Sequence, residues 1–183
     1  TRSARGSIVI NGGDEYTTSA SVTLTLSYSD AAPGVDMVRY SNDGISWTLW
    51  ENPATTRAWT LSGADGEKTV YYQVRDKAGS LSNSSDTIVL DRVAPTGSVV
   101  INGGATYTTS TSVTLSLSYA DATSGVDVVR YMNDGGAWTP WEAPLDVRQG
   151  GLRALDGGRT VYYQVRDKAG LVSVTDSDDI FLD

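Results

Sequence analysis

The sequence predicts an all-β protein built from two consecutive sandwich domains. Three observations carry this expectation. The chain repeats itself: residues 6–79 align without a gap on residues 97–170 at an offset of 91, with 49 of 74 positions identical. That period exceeds the ~20–50 residues of solenoid repeats, which cannot bury a core alone, and matches one small all-β domain. Thr, Val and Tyr are frequent and helix signals are nearly missing, which suits half-buried pleated surfaces. Finally, Val22, Leu24, Leu26 and Tyr28 alternate strictly with Ser21, Thr23, Thr25 and Ser27, and Val113, Leu115, Leu117 and Tyr119 repeat the pattern.

Each element of one unit has its own justification. Ser7–Ile10 reads as a short strand ended by Asn11-Gly12-Gly13, and the alternating run at 21–28 as the second strand. The loop Asp30–Gly34 leads into a third strand, Val35–Ser41. Asn42-Asp43-Gly44 supplies the positive φ of a tight hairpin and returns the chain as Ser46–Glu51. Arg57–Leu61 is a weaker fifth strand, turned by Gly63-Ala64-Asp65-Gly66. Thr69–Arg75 is a sixth, with Val70, Tyr72 and Val74 on one face, and Thr87–Leu90 closes the unit. Seven short strands spaced by Gly/Asp/Asn turns predict a sandwich of the immunoglobulin or fibronectin type III kind. The second unit follows the same plan, with Trp59 replaced by Gly150 and one residue added in the last hairpin. Its fifth strand, through Gln149-Gly150-Gly151, is expected to be short or irregular. Pro95 stiffens the connector Leu90–Thr96, so the units are expected to be 1–91 and 92–183.

Composition narrows the function. Each unit is large enough to hold a core without staples. Neither Cys nor His occurs in the chain, which removes Cys/His zinc sites, thiol nucleophiles, Ser-His-Asp triads and histidine acid–base chemistry. A net charge of −8 with pI ≈ 4.4 argues against nucleic acid, whose phosphates need a basic footprint. No apolar run is long enough to span a membrane, and no signal peptide is visible.

The order G-V-D-x-V-R-Y-x-N-D-G, W-T-x-W-E, D-G-x-[KR]-T-V-Y-Y-Q-V-R-D-K-A-G and V-A-P-T-G closely resembles bacterial immunoglobulin-like repeats, across nearly the whole chain and twice. The resemblance implies a tandem array in a large secreted or cell-surface protein of a bacterium or archaeon. Such modules act as stalks, spacers or adhesion elements, sometimes beside an enzyme, and in some relatives calcium sits between neighbours. Where the family often has Asn after the A-G of the sixth-strand loop, this chain has Ser80 and Leu171.

Two sets of residues are candidates for binding. Asp91, Asp121, Asp127 and Asp167 lie in the connector, the B–C loop, the start of the following strand and the F–G loop of the second unit. In a seven-strand sandwich these share one end, and converging carboxylates are the oxygen-rich environment calcium prefers. The competing reading makes Asp121 and Asp167 loop closers through Asx turns, and Arg130 and Arg166 ion-pair partners of the acids. The second set is Trp47 and Trp50, repeated as Trp138 and Trp141. Residues three apart on a strand point opposite ways unless a bulge intervenes, so one of each pair is expected in the core and the other on the sheet surface. An exposed Trp would stack on a sugar ring, or else pack on an Arg stem. A Lys–Asn crosslink is disfavoured, because Lys77 and Lys168 lie in loops and Lys68 becomes Arg159. The function expected is a non-catalytic structural and adhesion module, a spacer or stalk of a larger extracellular or cell-surface protein. Its partners would be neighbouring domains of the same chain, surface polysaccharide or protein. The alternative is a carbohydrate-binding accessory module using the tryptophans.

Overall fold

The alternating runs become strands in a computed structural model that describes residues 4–183, so the first three residues of the expected 1–91 unit lie outside the described residues. The chain divides into two compact units, Thr1–Arg92 and Val93–Asp183. The first holds β1 (Arg5–Ile10), β2 (Tyr16–Thr17), β3 (Ser21–Ser29), β4 (Val35–Ser41), β5 (Thr56–Thr60), β6 (Gly66–Asp76) and β7 (Leu81–Leu90). Its sheets have the orders β1-β3-β5 and β2-β7-β6-β4. The second holds β8 (Thr96–Ile101), β9 (Tyr107–Thr108), β10 (Ser112–Ala120), β11 (Val126–Asn133), β12 (Val147–Gly151), β13 (Gly157–Asp167) and β14 (Asp176–Leu182), in sheets β12-β10-β8 and β11-β13-β14-β9.

The period of two in β3 puts Val22, Leu24 and Leu26 inside and every intervening Ser or Thr outside. Pairing β1 with β3 sets Ile8 opposite Leu26 and Ile10 opposite Leu24. From the facing sheet come Val38 and Tyr40, Val70, Tyr72 and Val74, and Ile88 and Leu90, closing one core. Tyr40 and Tyr72 stack at 5.3 Å, as do Tyr131 and Tyr163 in the second core. β1 passes so close to β6 that a Cβ on Gly6 would sit 2.5 Å from Val74 Cγ2 and 2.9 Å from Tyr72 Cε1. Glycine at this position is therefore a packing requirement. The two sheets are also stapled at their edge: Asp86 on β7 accepts from the Ile10 amide of β1 at 2.7 Å. In the second unit Asp178 does the same for Ile101 and Asp176 does so for Val99.

Three expectations are corrected. Ser46–Glu51 is not a regular strand; it runs beside β4 with a single bridge, Val38–Glu51. The strand expected only over Thr87–Leu90 begins at Leu81, because its polar Ser and Asn residues pair through the backbone with β6 and bury little else. The fifth strand of the second unit is regular: β12 pairs with β10 from Ser112–Gly151 to Ser116–Val147, since ladder bonds need no side chains at Gly150 and Gly151. Two short pieces escaped the sequence reading. β2 and β9 join the larger sheets in parallel, through Thr17 beside Leu90 and Thr108 beside Leu182.

Candidate functional site

The W-T-x-W arm shows why both tryptophans end on one face. Tyr40 accepts from the Thr48 amide at 2.9 Å, but the Tyr40 amide donates to the Thr48 hydroxyl, at 3.0 Å, and not to a carbonyl. Val38 and Glu51 then exchange both backbone bonds at 2.9 Å. The arm thus advances one residue further than β4 between the two pairings, which is a bulge, and the phase of its side chains flips. Trp47 and Trp50 both fall on the outer side, where the Arg39 guanidinium lies 4.9 Å from one ring centre and 4.4 Å from the other. Arg75 lies 4.7 Å from Trp50. The expectation that one Trp of each pair enters the core is therefore corrected: neither belongs to it, and Trp138 and Trp141 repeat the arrangement around Arg130 and Arg166.

A polar row extends this stack across the sheet. Arg39 Nε donates to Gln73 Oε1 at 2.7 Å, and Gln73 Nε2 donates to Asn83 Oδ1 at 2.6 Å, each residue directly opposite the next. Arg75 closes on Asp36 at 2.7 Å. In the second unit Arg130 bonds Gln164, and Gln164 bonds Thr175. The sequence reading missed Arg39, Gln73 and Arg75 as members of this site. The signal was present, because Arg39 alternates with Val38 and Tyr40, and Gln73 and Arg75 with Val74. Beyond Trp47, a shallow concavity of about 340 Å3 is lined by Gly44, Tyr71, Asn83, Ser84 and Ser85.

The acidic candidates divide by role. Asp121 and Asp167 come together in the second unit, with carboxylate oxygens within 4.8 Å. Each closes its own loop through Oδ1: Asp121 accepts from the Gly125 amide at 2.6 Å and Asp167 from Leu171 at 2.8 Å. Asp127 lies apart on β11 and accepts from Arg166 at 3.1 Å. Among the described residues Arg130 pairs with Gln164 and not with an acid. Asp91, buried at the end of β7, donates its amide to Thr17. The first unit shows what such a loop does to a carboxyl. Burial pushes Asp76 up, but hydrogen bonds from the Ser80 and Ala78 amides outweigh it and hold the group below the usual carboxylate range. Asp43 is held far lower, by the Ile45 and Ser46 amides and the Ser41 hydroxyl.

No protein-family profile and no curated protein sequence matches the chain. Solved structures do. The chain is similar to the fibronectin(III)-like modules of Clostridium thermocellum CbhA, at 15% identity over 96% of this chain and 93% of that one, with a TM-score of 0.53. It is also similar to a 1.5-MDa bacterial ice-binding adhesin, at 16% identity and a TM-score of 0.55, covering 98% of this chain and 65% of the adhesin structure. These likenesses establish the fold, that of fibronectin III-like and bacterial immunoglobulin-like modules.

Proposed function

We propose that the chain is a non-catalytic structural and adhesion module, a spacer segment of a larger extracellular or cell-surface protein. One observation carries this reading: the same sandwich is built twice, each copy with its own closed core and its own inter-sheet carboxylate staple. The fold shared with an ice-binding adhesin supports the setting, and no helix among the described residues is long and apolar enough to cross a membrane. Neighbouring domains of the same chain are its proposed partners, with surface polysaccharide or protein beyond them. Mechanical function requires units that unfold one at a time. Pulled from its ends, the chain should give two unfolding events, each releasing roughly 30 nm of contour. A single event would sink the spacer reading.

Calcium uptake, expected of Asp91, Asp121, Asp127 and Asp167, belongs to the same proposal and is carried within the second unit by Asp121 and Asp167, Asp127 being paired with Arg166. Its support is the approach of Asp121 to Asp167, two hard oxygen donors of the kind the ion takes. Carbohydrate binding is the second reading. Guanidinium groups lie over Trp47, Trp50, Trp138 and Trp141, which favours the packing role at those faces. What favours a sugar is the concavity where Trp47 meets Tyr71 and Asn83. A broad glycan panel that leaves the tryptophan emission of the wild-type chain unchanged would remove it.

A further inference from the structure

The two units differ most where one aromatic side chain is missing. In the first, Trp59 on β5 leans on the core beside Tyr40, with ring centres 5.8 Å apart and Arg57 5.2 Å from the indole. Its indole N–H donates to Asn42 Oδ1 at 2.8 Å, and Asn42 Nδ2 is anchored on the Thr60 carbonyl. In the second unit Gly150 occupies the same register position, opposite Val113 as Trp59 is opposite Val22. The rest of the socket is kept. Tyr131 holds the place of Tyr40, Arg148 lies 4.5 Å over it, and Asn133 Nδ2 donates to the Gly151 carbonyl at 2.7 Å. That anchor orients Asn133 as Asn42 is oriented, with Oδ1 presented to an indole N–H that the chain itself does not supply here.

The space has stayed open. A cavity of about 350 Å3 is walled by Leu115, Tyr131, Asn133, Arg148, Gly150 and Arg153, within the ~300–1,000 Å3 range of small-ligand sites. The mouth is cleared as well. Ile45 and Ser46 become Gly136 and Ala137, and Asp134, whose counterpart Asp43 ties down that turn, is drawn away by Arg159 at 2.8 Å. Ser62 becomes Arg153, which adds a cation at the rim and donates to the Asp134 carbonyl at 3.3 Å.

We propose that the second unit binds an indole bearing an anionic substituent, with the ring between Tyr131 and Gly150, its N–H on Asn133 Oδ1 and its charge at Arg153. This site is independent of the spacer reading. Titrating indole-3-acetate into the full chain, followed by 15N-resolved amide shifts, should give saturable changes at Asn133, Gly150 and Gly151. The equivalent Asn42, Trp59 and Thr60 should stay still. By the efficiency usual for small ligands, indole-3-acetate should bind with a Kd on the order of 1 mM. The 1-methyl derivative lacks the donor and should bind about 3- to 10-fold more weakly. Arg153→Ser should weaken indole-3-acetate but not uncharged 3-methylindole. Gly150→Trp should abolish binding; its new Cβ needs Leu115, 3.1 Å away, to yield by a few tenths of an ångström, and a melt checks that it folds. Tighter binding of a blocked, uncharged Gly-Trp-Gly peptide would overturn the anionic ligand in favour of a chain-borne tryptophan. Absence of saturable shifts at those three residues, or equal affinity for the methylated ligand, overturns the proposal.

Discussion

Thr48 is the residue on which the outer face turns. Its hydroxyl replaces a carbonyl as the acceptor for the Tyr40 amide, and this substitution permits the extra residue that brings Trp47 and Trp50 to one side. Thr48→Val keeps the shape and removes the acceptor, leaving a buried amide unpaired at a cost of about 1–3 kcal/mol. Urea unfolding should show that loss in the first unit, and Thr48→Ser should recover most of it. The stacked tyrosines carry a second prediction. Burial pushes the Tyr40 and Tyr131 hydroxyls up to about 12, and Tyr72 and Tyr163 higher still. Because the folded state holds these protons more tightly than the unfolded chain, their contribution is complete below pH ~10 and is lost as pH rises toward 12. Denaturation midpoints should therefore fall steeply above pH 10. Tyr40→Phe should flatten that fall in the first unit, at little cost near neutrality, since the Tyr40 hydroxyl has no hydrogen-bond partner among the described residues.

At the scale of elements, the arm and its neighbours form a layer on the outer face of the larger sheet. Arg39 joins Trp47, Trp50 and Gln73, so Arg39→Ala should expose both indoles, red-shift tryptophan emission and cost about 1–2 kcal/mol. An unchanged spectrum would show that the arm holds itself. This layer also marks how far the sequence could be read. Strands with an apolar face, such as β3, β4 and β6, are legible because period two and burial coincide in them. The arm is not legible, because a side-chain hydroxyl doing a carbonyl's work leaves no trace in hydrophobic patterning. The start of β7 is hidden for a different reason: Ser82, Asn83, Ser84 and Ser85 look like loop residues, and only their ladder with β6 makes them a strand. Among the site residues, Gly150 stood out as a departure from the repeat. That Asn133, Tyr131 and Arg148 keep the indole's place around it required coordinates.

For the molecule as a whole, calcium is the decisive solution test. Uptake by the native state alone raises the melting temperature by mass action, so millimolar calcium should shift the melt by several degrees and EDTA should reverse it. Asp121→Asn combined with Asp167→Asn should erase the shift. An identical melt in both buffers would leave the two carboxylates as loop closers only. The near-identity of the units has a further consequence, which falls on the arm. Two-thirds of the aligned residues are the same, so strands of one unit could be mistaken for those of the other while a tandem chain folds. The vulnerable place is a flat, unpaired sheet border, and β4 and β11 would each provide one. Ser46–Glu51 lies along the first and its counterpart, ending at Glu142, along the second, both bulged and both pinned from the opposite sheet by an arginine, Arg57 and Arg148. A crooked, clamped border offers a neighbour no template, so the irregularity that hides this segment from pattern reading also keeps sibling domains from tangling.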